Sequence, residues 1–165
     1  MKRIISSKVG SIIKEKEKLE GILNVKISNR GRELFIEGSP IDEYEAEKVI
    51  EAINFGFKPE IAVMIKEKEL LLEILSIKDF TKRKNMKEVR GRVIGTKGKT
   101  LKTLAELTDC FFEVRNNDLG VIGSPEKMKT AQEAVVSLIR GSKQSSVYKY
   151  LEKHHIKPIT DLGLK

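Results

Sequence analysis

Val93-Ile94-Gly95-Thr96-Lys97-Gly98-Lys99-Thr100-Leu101-Lys102 places two glycines three residues apart, between an apolar pair and a helix-like run. Glycine lacks the Cβ that would hold a phosphate at a distance, and it takes φ > 0 where a chain reverses. N–H groups opening the following helix face anions, and the lysines add point charge. The stretch predicts a sharp turn that approaches a phosphate backbone closely. A G-x-x-G also arises by chance, so its weight comes from its surroundings.

Those surroundings are basic. The chain of 165 residues carries a formal charge of +8. Residues 1–80 hold 14 Lys and Arg against 15 Asp and Glu, whereas residues 81–165 hold 18 against 9. The asymmetry points to a polyanion partner for the second half alone. With 39% hydrophobic residues the chain can build packed cores, and its length allows one medium domain or two small ones. The single Cys110 excludes an internal disulfide framework and a multi-cysteine metal site. No signal-peptide core or membrane-length apolar run is present. A soluble cytoplasmic protein is expected, with no membrane partner.

One unit occurs twice. At an offset of 85, Ile36-Glu37-Gly38-Ser39-Pro40 falls on Val121-Ile122-Gly123-Ser124-Pro125, and Ala46, Ile50 and Ile53 fall on Ala131, Val135 and Leu138. Each copy reads as strand, tight turn, helix. Ser39 and Ser124 suit N-caps with proline at the first helical position, and Ser39 with Asp42 resembles a capping box. A second strand precedes each copy, at residues 23–28 and 110–115, joined to the next by Asn29-Arg30-Gly31-Arg32 or Asn116-Asn117-Asp118. Upstream lie short helices at 8–13 and 16–23, and at 87–94 and 99–108, after opening strands at 2–6 and 72–77. The order strand-helix-helix-strand-strand-helix therefore appears twice. It predicts an α+β fold with helices on one face of each three-stranded sheet. Residues 57–71, apolar and opened by Pro59, predict a helical connector that packs on its neighbours rather than a loose linker.

That order, with the glycine loop joining the first two helices, resembles the type I KH domain, so the chain is expected to hold two in tandem. In KH modules the loop clamps about four nucleotides of a single strand beside an apolar groove for the bases. The resemblance makes Gly95, Thr96, Lys97 and Gly98 the clamp, with charge from Arg92, Lys99 and Lys102. Ile94, Leu101 and Leu104, with Phe112 or Val114, are either groove floor or ordinary core. Arg115 would pair with a base edge or a phosphate. In the first unit the clamp position falls on Lys14-Glu15-Lys16-Glu17, with no glycine and two carboxylates, before a helix shorter by roughly a turn. The expected division is a degenerate KH-like unit at 1–57, a connector at 58–71, a KH unit at 72–141 and a C-terminal helix and tail at 142–165.

The combination of a degenerate first unit, the run from Gly91 to Thr100, Leu138-Ile139-Arg140-Gly141-Ser142, and Ser146-Val147-Tyr148 with Leu151 is similar to one family. It is that of the archaeal and eukaryotic small-subunit rRNA-processing proteins called partner of Nob-one, or Dim-two. The resemblance implies a non-catalytic factor that binds single-stranded rRNA near the 3′ end of the small-subunit rRNA. Implied partners are assembly proteins such as the 3′-end endonuclease, or a translation initiation factor subunit. A KH-based protein-interaction scaffold and a general mRNA-binding translational regulator are the alternatives.

Nothing else in the chain suggests chemistry. His154-His155 has no partner at metal-ligand spacing and reads as a solvated helix end. Cys110 has no positioned base and reads as packing. Lys82-Arg83-Lys84 reads as a solvated loop within reach of phosphates, and Tyr148 as packing back onto the second unit. No P-loop, dinucleotide fingerprint or triad signature is present, so no enzyme, metal, cofactor or small-molecule substrate is expected.

Overall fold

The computed structural model describes residues 1–154. The first half runs β1 (Lys2–Ile5), α1 (Val9–Lys14), α2 (Lys16–Leu23), β2 (Lys26–Arg30), β3 (Glu33–Glu37) and α3 (Pro40–Phe55). Two short helices follow, α4 (Pro59–Ala62) and α5 (Met64–Glu67). The second half runs β4 (Leu71–Ser76), a 3-10 turn (Ile77–Phe80), α6 (Met86–Ile94), α7 (Lys99–Thr108), β5 (Phe111–Arg115), β6 (Asp118–Gly123) and α8 (Pro125–Ile139). Helix α9 (Gln144–Lys153) closes the described chain. Each half forms an antiparallel sheet with its last strand in the middle, in the orders β1-β3-β2 and β4-β6-β5.

The repeat predicted at an offset of 85 extends to the helix stops. Asn24 ends α2 and Asp109 ends α7, both left-handed (φ 55° and 57°), a conformation Asn and Asp tolerate. These stops correct two strand starts. Leu23 is the buried last residue of α2, so β2 opens at Lys26; Cys110 lies just ahead of β5. Helix α2 is two residues shorter than α7, less than the full turn expected.

The caps diverge. Ser39 Oγ accepts from the Asp42 N–H (3.2 Å) and donates to the Asp42 carboxylate (2.9 Å). Ser124 makes no such bond. The Lys127 N–H goes to the Ser124 carbonyl (3.1 Å), and the buried Ser124 hydroxyl has no partner among the described residues. No acid stands three residues on, because position 127 is a lysine that pairs with Asp109.

Strand β6 is buried on both faces. Leu119 and Val121 point into a core with Val89, Val93, Leu104 and Leu138 of their own helices. Ile122, facing the other way, joins the core of the first half. Gly120 lies on that same outer face. A Cβ there would sit 2.8 Å from Phe55 Cε1 and 2.9 Å from Phe57 Cε2, so only a bare backbone admits the two rings. The rings stack on each other with centroids 6.0 Å apart. The connector belongs to this assembly: Ala62 and Val63 are buried in the first core, with Ile61, Ile65 and Leu70 packed against it.

Candidate nucleic-acid interface

Helix α6 starts at Asn85, whose side chain accepts from the Glu88 N–H (3.2 Å), and buries Val89 and Val93. It ends because Gly95 leaves helical space at φ 78°, ψ 171°, a region essentially reserved for glycine. The Gly95 N–H still bonds the Gly91 carbonyl (2.8 Å), so the break is sharp. Residues 96–98 form one 3-10 turn closed by the Gly98 N–H on the Gly95 carbonyl (3.2 Å). Lys97 (φ 55°) and Gly98 (φ 76°) are both left-handed, and α7 starts directly after them.

The two glycines differ in purpose. A Cβ on Gly95 would lie 2.7 Å from the Thr100 nitrogen and 2.8 Å from its Cβ, and closer still to its hydroxyl. Gly95 is therefore a packing requirement. A Cβ on Gly98 would meet nothing, so Gly98 keeps open space at the helix start. No side chain caps α7, and the Thr96 and Lys97 amides take no protein acceptor among the described residues. Thr96, Lys97, Lys99 and Lys102 are exposed, and no described carboxylate pairs with these three lysines. Unspent amides, a helix start and unpaired ammonium groups thus converge on one concave turn, which suits an anion chain.

The remaining predicted residues separate. Ile94 is half-buried beside the loop, as are Leu101, Phe112 and Val114 against the second core, while Leu104 is fully buried and serves as core alone. Arg92 is half-buried, with Nη2 at 3.5 Å from the Gly141 carbonyl. Arg115 takes another direction: its guanidinium donates to the Asn54 carbonyl at the end of α3, tying the two halves together. Its contact in the structure is with the first half rather than with the loop.

Three contributors escaped sequence reading. A cleft of about 410 Å³ lies against α7, lined there by Lys102, Ala105, Glu106 and Asp109 and on the connector by Met64 and Leu70. Arg90 donates to Asn117 Oδ1 (3.0 Å) and to the Asn116 carbonyl (3.3 Å), fixing the β5–β6 turn. From α9, Gln144 reaches Thr100 beneath the loop, with Nε2 to Oγ1 at 2.8 Å. All three join residues far apart in the chain, so no local pattern announces them.

In the first half, α1 and α2 meet at a single residue, Glu15, whose N–H is taken by the Ile12 carbonyl (3.2 Å). Glu15, Lys18 and Leu19 face Pro59, Glu60 and Val63 of the connector across a small pocket. The counterpart of the glycine loop is thus closed, charge-balanced and flanked by protein. Cys110 behaves as packing: burial pushes its thiol up, so no reactive thiolate is available.

The profile of the second KH domain of PNO1, a eukaryotic-type KH domain (KH-domain type I), matches residues 71–156. The chain belongs to the PNO1 family. The resemblance read from Gly91–Thr100 and the segment after α8 is thereby shown, and the PNO1-type KH domain contains the whole glycine loop. A KH domain-containing protein of Methanocaldococcus jannaschii, MJ0443, is 34% identical over 119 residues, covering 72% of this chain and 52% of its own length. The RNA-binding protein pno-1 of Caenorhabditis elegans is 28% identical over 136 residues, covering 76% and 49%. The chain spans about half the length of these curated relatives. Dim2p of Pyrococcus horikoshii superposes with a TM-score of 0.82 at 28% identity, over 92% of this chain and 98% of that one. The same archaeal protein, in a complex of a/eIF2alpha, aDim2p and rRNA, matches with a TM-score of 0.82 over 93% of each chain.

Proposed function

We propose that this chain is a non-catalytic RNA-binding factor of small-subunit assembly, holding single-stranded rRNA near its 3′ end at the Gly95–Gly98 turn. The observation that carries the reading is the turn itself: exposed amides and three unpaired lysines at an open helix start, with Gly98 facing free space. Phosphates would sit on the turn, and bases would lie beside it against the half-buried Ile94, Leu101 and Val114. The complex of the Pyrococcus relative with rRNA and a/eIF2alpha supports both the ligand class and an initiation-factor subunit as partner. The 3′-end endonuclease is a second proposed partner, and the cytoplasm the proposed compartment.

We read residues 72–141 as a working type I KH domain and residues 1–57 as a KH-like domain without its clamp. The connector at 58–71 buttresses the latter, and residues from 142 add a C-terminal helix. The tail beyond His154 lies outside the described residues. The test is Gly98→Asp. Aspartate tolerates a left-handed backbone at a small cost and its Cβ meets no neighbour there, so the fold is kept while a carboxylate enters the phosphate position. Affinity for an oligonucleotide from the small-subunit rRNA 3′ end should fall by at least about tenfold, with a cooperative melt lowered by no more than a few degrees. Wild-type affinity in this variant removes the reading.

A further inference from the structure

Gly141 ends the turn after α8, at φ 106°. A Cβ placed on it would lie 3.4 Å from Arg92 Nη1 and 3.6 Å from Arg83 Nη2, so two guanidinium groups flank one bare backbone position, at most about 7 Å apart. Neither arginine has a carboxylate partner among the described residues. Arg83 is exposed, and its side chain makes no hydrogen bond among those residues; only its backbone N–H bonds Thr81 Oγ1 (3.2 Å). Two like charges held this close repel, and the long contact from Arg92 to the Gly141 carbonyl offsets little of that. An anion between them would relieve the repulsion. Guanidinium forks match phosphate oxygens with two donors each.

The position of the pair selects the anion. Arg92 lies in the last turn of α6, three residues before Gly95, and its guanidinium reaches the Gly141 turn beside Arg83. Exposed Lys82 and Lys84 adjoin Arg83 in the chain and add to its positive charge. We infer that Arg83 and Arg92 form a second phosphate-binding site that carries the same RNA strand past the four nucleotides of the glycine turn. This rests on the RNA reading of that turn. Because Arg92 belongs to the helix that ends at Gly95 and shares the Gly141 position with Arg83, one strand crossing both places is favoured over a separate acidic protein.

The test uses the full chain and nested oligonucleotides from the small-subunit rRNA 3′ end: a tetranucleotide, and versions extended by four nucleotides on either side. One extended oligonucleotide should bind more tightly than the tetranucleotide and with a steeper salt dependence. Arg83→Gln should weaken that extended oligonucleotide roughly five- to tenfold and lower the slope by about 0.7 log units per log salt, while tetranucleotide affinity stays within about twofold. Arg83→Glu should deepen the loss, and Arg83→Lys, which keeps charge without the fork, should fall between. If the wild type binds the tetranucleotide but Arg83→Gln leaves the extended one unchanged in affinity and slope, the second site is overturned and the glycine-turn reading stands. If Gly98→Asp also changes nothing, the glycine-turn reading fails and takes the second site with it.

Discussion

Gln144 Nε2 donates a 2.8 Å hydrogen bond to Thr100 Oγ1, the oxygen against which Gly95 is pressed. Helix α9 therefore reaches the glycine turn through one buried hydroxyl. Gln144→Leu and Thr100→Val should each weaken RNA binding about three- to fivefold, and the double variant should lose little more than either alone, because both break one bond. Thr100→Ser should retain wild-type affinity. The salt slope should be unchanged throughout, since no phosphate contact is removed. Full additivity, or a reduced slope, would contradict a positioning role.

Gly95→Ala should be far more damaging to stability than Gly98→Ala. The first meets Thr100 and forces a glycine-only backbone region, together costing about 2–4 kcal/mol. The second bears only a left-handed alanine in open space, about 1 kcal/mol. Urea denaturation of the two variants makes the comparison, and equal midpoints would show that the Thr100 contact is not a constraint.

Gly120→Val should separate the halves. Its side chain would enter the space of Phe55 and Phe57, an overpacking cost of about 1–3 kcal/mol at the face that joins the two sheets. Limited proteolysis should then cut near residues 57–70 sooner than in the wild type. Unchanged resistance would mean that the halves do not depend on this contact.

Glu113 lies beside Gly56 in the same interface, and burial raises its carboxyl above the ordinary 4.5, with Lys58 partly opposing. A raised folded-state value means the folded protein binds the proton more tightly than the unfolded chain. The resulting stability is present below about pH 4.5 and is lost as pH rises through the higher folded value. Glu113→Gln should abolish that decline and raise the melting temperature at pH 7 by no more than about 2 °C, the group being largely solvated. A melting temperature that falls in this variant at pH 7 would reverse the sign.

Glu15→Gln and Glu17→Gln should leave RNA affinity within about twofold of wild type, because the junction they occupy offers no free turn to a phosphate. A gain of tenfold in either would mean that the first half is an RNA site held off by its own carboxylates.

What was legible in the sequence is what short-range pattern encodes. The strands around Leu34 and Val121, the helices after Ser39 and Ser124, and the turn at Gly95 follow from alternation, proline at a helix start and glycine spacing. The family likeness rested on the same short runs, and the profile match at 71–156 bears it out. Contacts between distant segments were not legible. Nothing near Arg115 predicts Asn54 as its acceptor, and nothing near Gly120 predicts two phenylalanines from the other half. Alternation opens β2 three residues early because Leu23 fits a strand as well as a helix end, and only the left-handed Asn24 decides between them. By local pattern Gln144 is only a polar residue at a helix start, and the fold alone sets it beneath Thr100.

The pairing of Phe55 and Phe57 with a side-chain-free spot on β6 has a practical corollary for anyone dissecting this molecule. A fragment starting at Leu71 would present Ile122 and naked strand backbone to water where two aromatic rings belong, and would self-associate at concentrations the intact chain tolerates. The first half thus serves as the cover of its neighbour's open sheet face.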